Sequence, residues 1–204
     1  MTRTYSDADR LARLASRWPG VPGRLPSLIA LTDPERTKDA VGFAETLPQG
    51  CGLIYRHFGQ ADRAATAQAL ARVADDRQIT LLVAADPELA SACDADGVHW
   101  PARMASAARA WARQRGDLVM TVSAHNRAEL ARAGQLGADA ALLSPVFSTR
   151  SHSQGNRLGP LRSMPLVTQA ELPVYALGGI TAQSARRLSH CGFSGMAAID
   201  GLKR

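Results

Sequence analysis

Residues 92–100 (ACDADGVHW), 135–143 (QLGADAALL) and 190–198 (HCGFSGMAA) carry one pattern three times. Each closes a helix-period segment on a small residue or glycine and enters an apolar run through a turn of small residues. That is how a helix C-terminus hands the chain to the next strand. Working outward, short apolar runs alternate with Ala-, Arg- and Leu-rich segments of helical period from Leu28 onward, which predicts βα units and a parallel sheet. Eight runs are present: LIALT (28–32), CGLIYR (51–56), ITLLVA (79–84), GVHW (97–100), LVMTVS (118–123), AALLS (140–144), VYALG (174–178) and GMAAI (195–199). The clearest helices between them span 61–74, 105–114, 127–136 and 182–191. Eight equal units predict an α/β fold of the (β/α)8 TIM-barrel type, because eight tilted parallel strands close around a side-chain-filled interior and leave no edge. The alternative, an open doubly wound sheet, lacks a GxGxxG after the first run.

The 204 residues suit one domain, read as an N-terminal helical extension over 1–26 and a single barrel over 27–204. Five residues, Asp200 to Arg204, follow the last run, so the eighth helix is truncated and one wall of the barrel needs cover. The stretch Ser6 to Trp18, with Leu11, Leu14 and Trp18 at helical spacing, is the expected cover. A frayed arm is the alternative, and a homodimer interface would serve the same wall.

Basic residues exceed acidic ones, 24 against 18, and the only lysines are Lys38 and Lys203. Lys38 falls in an expected surface helix and Lys203 is penultimate, so Schiff-base chemistry, which needs a lysine in a pocket, is set aside. The arginines recur along helices without interleaved aromatics, which describes a solvated basic surface and not a nucleic-acid partner. No apolar run reaches the roughly 18 residues of a membrane span. Cys51, Cys93 and Cys191 are dispersed and odd in number, so they read as reduced core residues. The N-terminus lacks a signal-peptide apolar region, and the expected compartment is the cytoplasm.

In a barrel the chemistry sits at the C-terminal strand ends. Gly178-Gly179 after the seventh run, with Ile199 and Asp200 after the eighth, occupies the place where barrels bind phosphate on bare backbone amides. A plain turn pair is the alternative, and Asp200 would repel a phosphate unless it turns away or caps the last turn. Arg56, ending the second run, aims a planar guanidinium at the mouth or else closes a rim ion pair. The loop Ser144 to Pro160 combines hydroxyls with Arg150, His152 and Arg157, as a lid over an anionic ligand would. His99, His125 and His152 lack metal-site spacing, so no metal is assigned to them. No GxSxG elbow supports a serine hydrolase.

Taken together, LIALTDP, the Arg56 strand end, DADGVHW, TVSAHN, QLGADAALLSPVFST, LPVYALGGIT and GFSGMAAI resemble the thiamine phosphate synthase and TenI family of barrels over roughly residues 27–202. The resemblance implies a transferase of thiamine biosynthesis. A hydroxymethylpyrimidine pyrophosphate loses pyrophosphate, and a thiazole phosphate nitrogen captures the pyrimidine cation. It also implies a catalytic set of Arg56, Ser123, Thr149, Ser151 and His152. The thiazole-phosphate site falls at Gly178, Gly179, Ile199 and Asp200. The partners implied are small phosphorylated heterocycles: thiazole phosphate, pyrimidine pyrophosphate or thiamine phosphate.

The departures from the family pattern are concentrated in the charged positions. Ile54 and Phe58 flank Arg56 where the family has Gln and Lys, and His152 stands for the loop lysine. Asp200 stands for a small or hydroxyl residue. Magnesium is the cofactor of a working synthase, but its ligands are replaced by Ala85, in an Ala84-Ala85 pair, and by Met104, neither of which offers a hard oxygen. A one-residue register slip would bring Asp86 to the metal position. Two alternatives follow: a non-catalytic phosphate-ligand-binding barrel, and a metal-free thiazole tautomerase-like isomerase. The isomerase's usual base is replaced by Pro145, so His152 or His125 would act instead.

Overall fold

The computed structural model describes residues 6–149 and 157–203. Eight parallel strands pair in sequence order and close into a barrel: β1 (Leu28–Leu31), β2 (Gly52–Tyr55), β3 (Thr80–Ala84), β4 (Gly97–Trp100), β5 (Val119–Ala124), β6 (Ala140–Leu143), β7 (Val174–Leu177) and β8 (Gly195–Ala198). Closure is direct, Leu28 and Ile29 of β1 pairing with Met196 and Ala197 of β8. The open-sheet alternative is therefore dismissed, and all eight runs read from the sequence are strands.

The strands are apolar on both faces because both are covered, as in any parallel sheet wrapped by helices. Ile29, Leu31, Ile54, Leu82, Ala84, Leu142, Tyr175 and Ala197 fill the inside of the ring. Their neighbours, such as Leu53, Tyr55, Leu81, Val83, Val98 and Val122, pack outward in the cluster that includes the helices. The Tyr175 hydroxyl donates toward the carbonyls of Leu25 and Pro26 at 3.3 and 3.0 Å and plugs the floor.

Among the described residues, seven α-helices connect the strands: α2 (Ala40–Thr46), α3 (Arg63–Arg77), α4 (Pro87–Ala92), α5 (Ala105–Ala112), α6 (Arg127–Gln135), α7 (Gly159–Thr168) and α8 (Ala182–Ala185). Most begin where a short polar side chain accepts an orphan amide: Asp39 before α2, Asp86 before α4, Asn126 before α6 and Thr181 before α8. Such caps are worth about 1 kcal/mol each. The expected helix over 182–191 is shorter, four residues of α8 followed by a 3-10 turn at Arg186–Leu188. Lys38 lies exposed in the loop before α2, not in a helix.

The N-terminal segment is a helix, α1 (Asp7–Ala15), set by a capping box between Ser6 and Asp9. It buries Ala8, Leu11 and Ala15 and packs on α8. No helix follows β8 among the described residues, and α1 packs over the wall such a helix would cover. No helix among the described residues is long and apolar enough to cross a membrane.

Candidate functional site

The C-terminal strand ends open on a cleft of about 1010 Å³. Arg56, Ser123, Thr149, Gly178, Gly179, Ile199 and Asp200 all line it. Ser151 and His152, the other residues assigned from the sequence, lie outside the described residues.

The end of β7 explains its glycine pair. Gly178 and Gly179 have φ of +96° and +64°, in the region glycine enters at no steric cost. A Cβ on Gly179 would also stand 2.3 Å from the Ser148 carbonyl and 2.8 Å from the Phe147 Cβ. The Ser184 hydroxyl donates to the Gly179 carbonyl at 2.8 Å and, with Thr181, closes the cap of α8. Among the described residues, the amides of Gly179, Ile180, Asp200 and Gly201 have no backbone or side-chain acceptor, and all four residues line the cleft. Unpaired amides in a concave turn suit an oxyanion.

Across the mouth, Arg56 both lines the cleft and forms the rim ion pair that the sequence left as an alternative. Its Nη2 donates to Asp33 Oδ2 at 3.0 Å, and its backbone N donates to Thr32 Oγ1 at 2.9 Å. Burial pushes the guanidinium's pKa down while Asp33 pulls it back up; an arginine keeps its charge under such pressures. Asp33 continues the network, since Arg36 Nε stands 3.8 Å from Asp33 Oδ1 and Arg36 Nη1 lies 3.2 Å from Asp200 Oδ2. Lys203 Nζ completes it at 3.2 Å from Asp200 Oδ1. Asp200 thus turns toward two cations, which relieves the repulsion its position would otherwise impose on a phosphate.

Sequence reading placed Asp33 at a strand end without a role and missed Arg36. The available signal was their place in LTDPER, directly after the first strand.

Two histidines serve the cleft differently. His99 is buried inside the ring, with Nδ1 2.8 Å from Thr121 Oγ1 and Nε2 2.9 Å from Ser123 Oγ. Desolvation, assisted by Arg56, lowers its pKa to about 3, so the ring is neutral and orients the Ser123 hydroxyl. His125 Nδ1 lies 2.8 Å from the Ser144 carbonyl. A carbonyl only accepts, so Nδ1 carries a proton, and in the neutral tautomer this bond selects the lone pair is on Nε2.

The β3 and β4 ends do not fit magnesium. Ala84 lines the cleft, Ala85 follows at φ +53°, and Met104 sits in the 3-10 turn after β4. Asp86, the register-slip alternative, caps α4 by accepting from Leu89 N at 2.9 Å and pairs with Arg63. Its carboxylate is committed there and does not line the cleft. Among the described residues no three His, Cys, Asp or Glu side chains gather as a metal site. At the place of the family lysine, Phe58 is 43% exposed and lies under the Arg63 guanidinium, 5.4 Å from the ring centroid.

Comparison with known proteins gives a consistent result. The family model described as thiamine monophosphate synthase matches residues 29–202. A thiamine-phosphate synthase of Geobacillus thermodenitrificans is 35% identical over 166 residues, 78% of this chain and 75% of that protein. One from Lactococcus lactis subsp. cremoris is 30% identical over 150 residues, 73% of this chain and 68% of that protein. A thiamine phosphate pyrophosphorylase structure from Pyrococcus furiosus has the same fold, with a TM-score of 0.73 at 22% identity, covering 86% of this chain and 89% of that one.

Proposed function

Because the chain belongs to the thiamine monophosphate synthase family, we propose that its cleft takes the small phosphorylated heterocycles of thiamine phosphate assembly and that it is a synthase-type transferase. The observation that carries this reading is the meeting of two anion-suited features in one cleft: amides of Gly179, Ile180, Asp200 and Gly201 without acceptors among the described residues, and the charged Arg56 just past β2. A thiazole phosphate anchors its phosphate at Gly179, Ile180, Asp200 and Gly201. The pyrimidine pyrophosphate lies toward Arg56, Ser123 and Thr149. The methylene C–O bond breaks with its electron pair leaving on pyrophosphate, and the thiazole nitrogen gives its lone pair to the methylene carbon. Charge growing on the leaving oxygens is where fixed donors are worth most, and Arg56 with the Ser123 hydroxyl supplies them. Ser151 and His152 join this set by family position.

Since the donors at the β3 and β4 ends do not fit magnesium, ligand binding is expected to be metal-independent. The test is to mix the chain with both phosphorylated halves, with and without Mg²⁺, and to measure thiamine phosphate and, by calorimetry, binding of each ligand. Product that Arg56→Ala abolishes supports the transferase. Binding without product leaves the non-catalytic barrel, and no binding of any ligand overturns both.

The bond from His125 Nδ1 to the Ser144 carbonyl, which leaves Nε2 as the free ring nitrogen of a cleft-lining histidine, favours a second reading, a metal-free isomerase that moves a proton on a thiazole substrate. Exchange of a substrate proton with D₂O, followed by NMR and removed by His125→Gln, would support it. Unchanged exchange in that variant discards His125 as the base.

A further inference from the structure

Arg36 has been given no ligand above, yet it bridges the two carboxylates at the mouth. It follows β1 in the tight turn that starts at Asp33, where its backbone N donates to the Asp33 carbonyl at 3.0 Å. Its side chain lines the cleft between Asp33 and Asp200, 18% exposed. Its carbonyl accepts from Lys203 Nζ at 2.6 Å, so the cation that holds Asp200 also holds the arginine's own loop. Among the described residues, three cations, Arg56, Arg36 and Lys203, meet two carboxylates, Asp33 and Asp200.

The two carboxylates differ in exposure. Asp33 is 12% exposed and receives the amide of Glu35 as well as Arg56. Asp200 is 46% exposed, so water screens its pairs and weakens them. Asp200 also stands beside its own unpaired amide and that of Gly201. A phosphate seated on those amides arrives where the Asp200 carboxylate now meets Arg36, and a dianion offers the guanidinium more charge and a matching fork.

We propose that Arg36 is a second anion-binding guanidinium of this cleft, directed at the phosphate held between β7 and β8, with Asp200 as its latch. The Asp200 carboxylate competes with that phosphate for Arg36. The cation absent at Phe58, after β2, is thereby supplied from the loop after β1. The inference deepens the proposed function and rests on it only in requiring that an anionic ligand enters the cleft.

The test is calorimetric titration of the full chain with inorganic phosphate and with pyrophosphate. The proteins compared are the parent, Arg36→Ala, Arg36→Lys, Asp200→Asn and the Arg36→Ala/Asp200→Asn double variant. Loss of a charge-assisted contact predicts about tenfold weaker binding in Arg36→Ala, partly restored by lysine. Release of an exposed ion pair predicts about two- to fivefold tighter binding in Asp200→Asn. If Asp200 acts through Arg36, that gain vanishes in the double variant.

Parent-like affinity in Arg36→Ala overturns the proposal, as does a full Asp200→Asn gain in its absence or no binding of either anion to the parent. Should Arg36→Ala fail to fold, Arg36→Lys and Arg36→Gln carry the comparison, with thermal melting as the check. Arg36-dependent binding without thiamine phosphate synthesis would sink the transferase reading alone. Synthesis and binding undiminished in Arg36→Ala would sink this inference alone.

Discussion

The barrel carries an arginine–carboxylate cluster at each end, made of the same residue types and finished differently. At the floor, Asp139 Oδ2 accepts from the Met120 amide at 2.8 Å and from Arg115, while Oδ1 lies 3.6 Å from Arg24 Nε. Arg115 also donates to the carbonyls of Leu118 and Gly137 at 2.8 and 2.9 Å, and Arg24 to that of Asp117. At the mouth, Arg56 donates to one carboxylate and one hydroxyl, and four nearby amides lack acceptors among the described residues. Donors that have found partners hold the register of β5 and β6. Donors short of partners mark where an outside anion completes the set.

Breaking each cluster should therefore hurt a different property. Arg56→Ala is expected to lower thiamine phosphate formation about a thousandfold, in line with loss of a transition-state donor, while the melting temperature moves by only a few degrees. Asp139→Ala should do the reverse. Stranding Arg115 costs about 3 kcal/mol in urea unfolding, and the phosphate Kd stays at the parent value. Equal stability loss in both variants would erase the distinction between the two ends.

A smaller effect tests the polar sector that joins them. His99 is held near pKa 3 in the fold against 6.5 ordinarily, so between those values the unfolded chain binds a proton that the native chain refuses. Stability is then full above pH 6.5 and falls as the pH drops toward 3, by about 2 kcal/mol at pH 5. His57, also lowered by burial, adds in the same direction. Unfolding of His99→Gln at pH 7 and pH 5 should show most of that slope gone. The smallest effect lies at Ala85, whose φ of +53° is costly for a residue with a Cβ. Ala85→Gly should raise stability by about 0.5 kcal/mol in urea unfolding.

The strands were legible because each is a short apolar run between turn residues, and their ends shifted by no more than a residue or two in the structure. Gly178-Gly179 and Arg56 were legible because strand ends are where a barrel works. The Arg36–Asp200 pair was not, since it joins residues 164 positions apart and neither side chain has a local motif. The direction of Asp200 depends on Lys203 and Arg36 together, which no spacing rule encodes. The shortened helix after β7 was missed because the chain past Arg186 keeps helical composition while tightening to a 3-10 turn.

Helix α1 leaves the ribosome before any strand of the ring, yet it packs on α8, and its Leu11 lies by the turn at Gly201, both synthesised after β7. Its apolar stripe must wait while seven strand–helix units emerge. Packing α1 on α8 thus joins segments far apart in the chain. Until α8 has emerged, the apolar side of α1 formed by Ala8, Leu11 and Ala15 has no such cover.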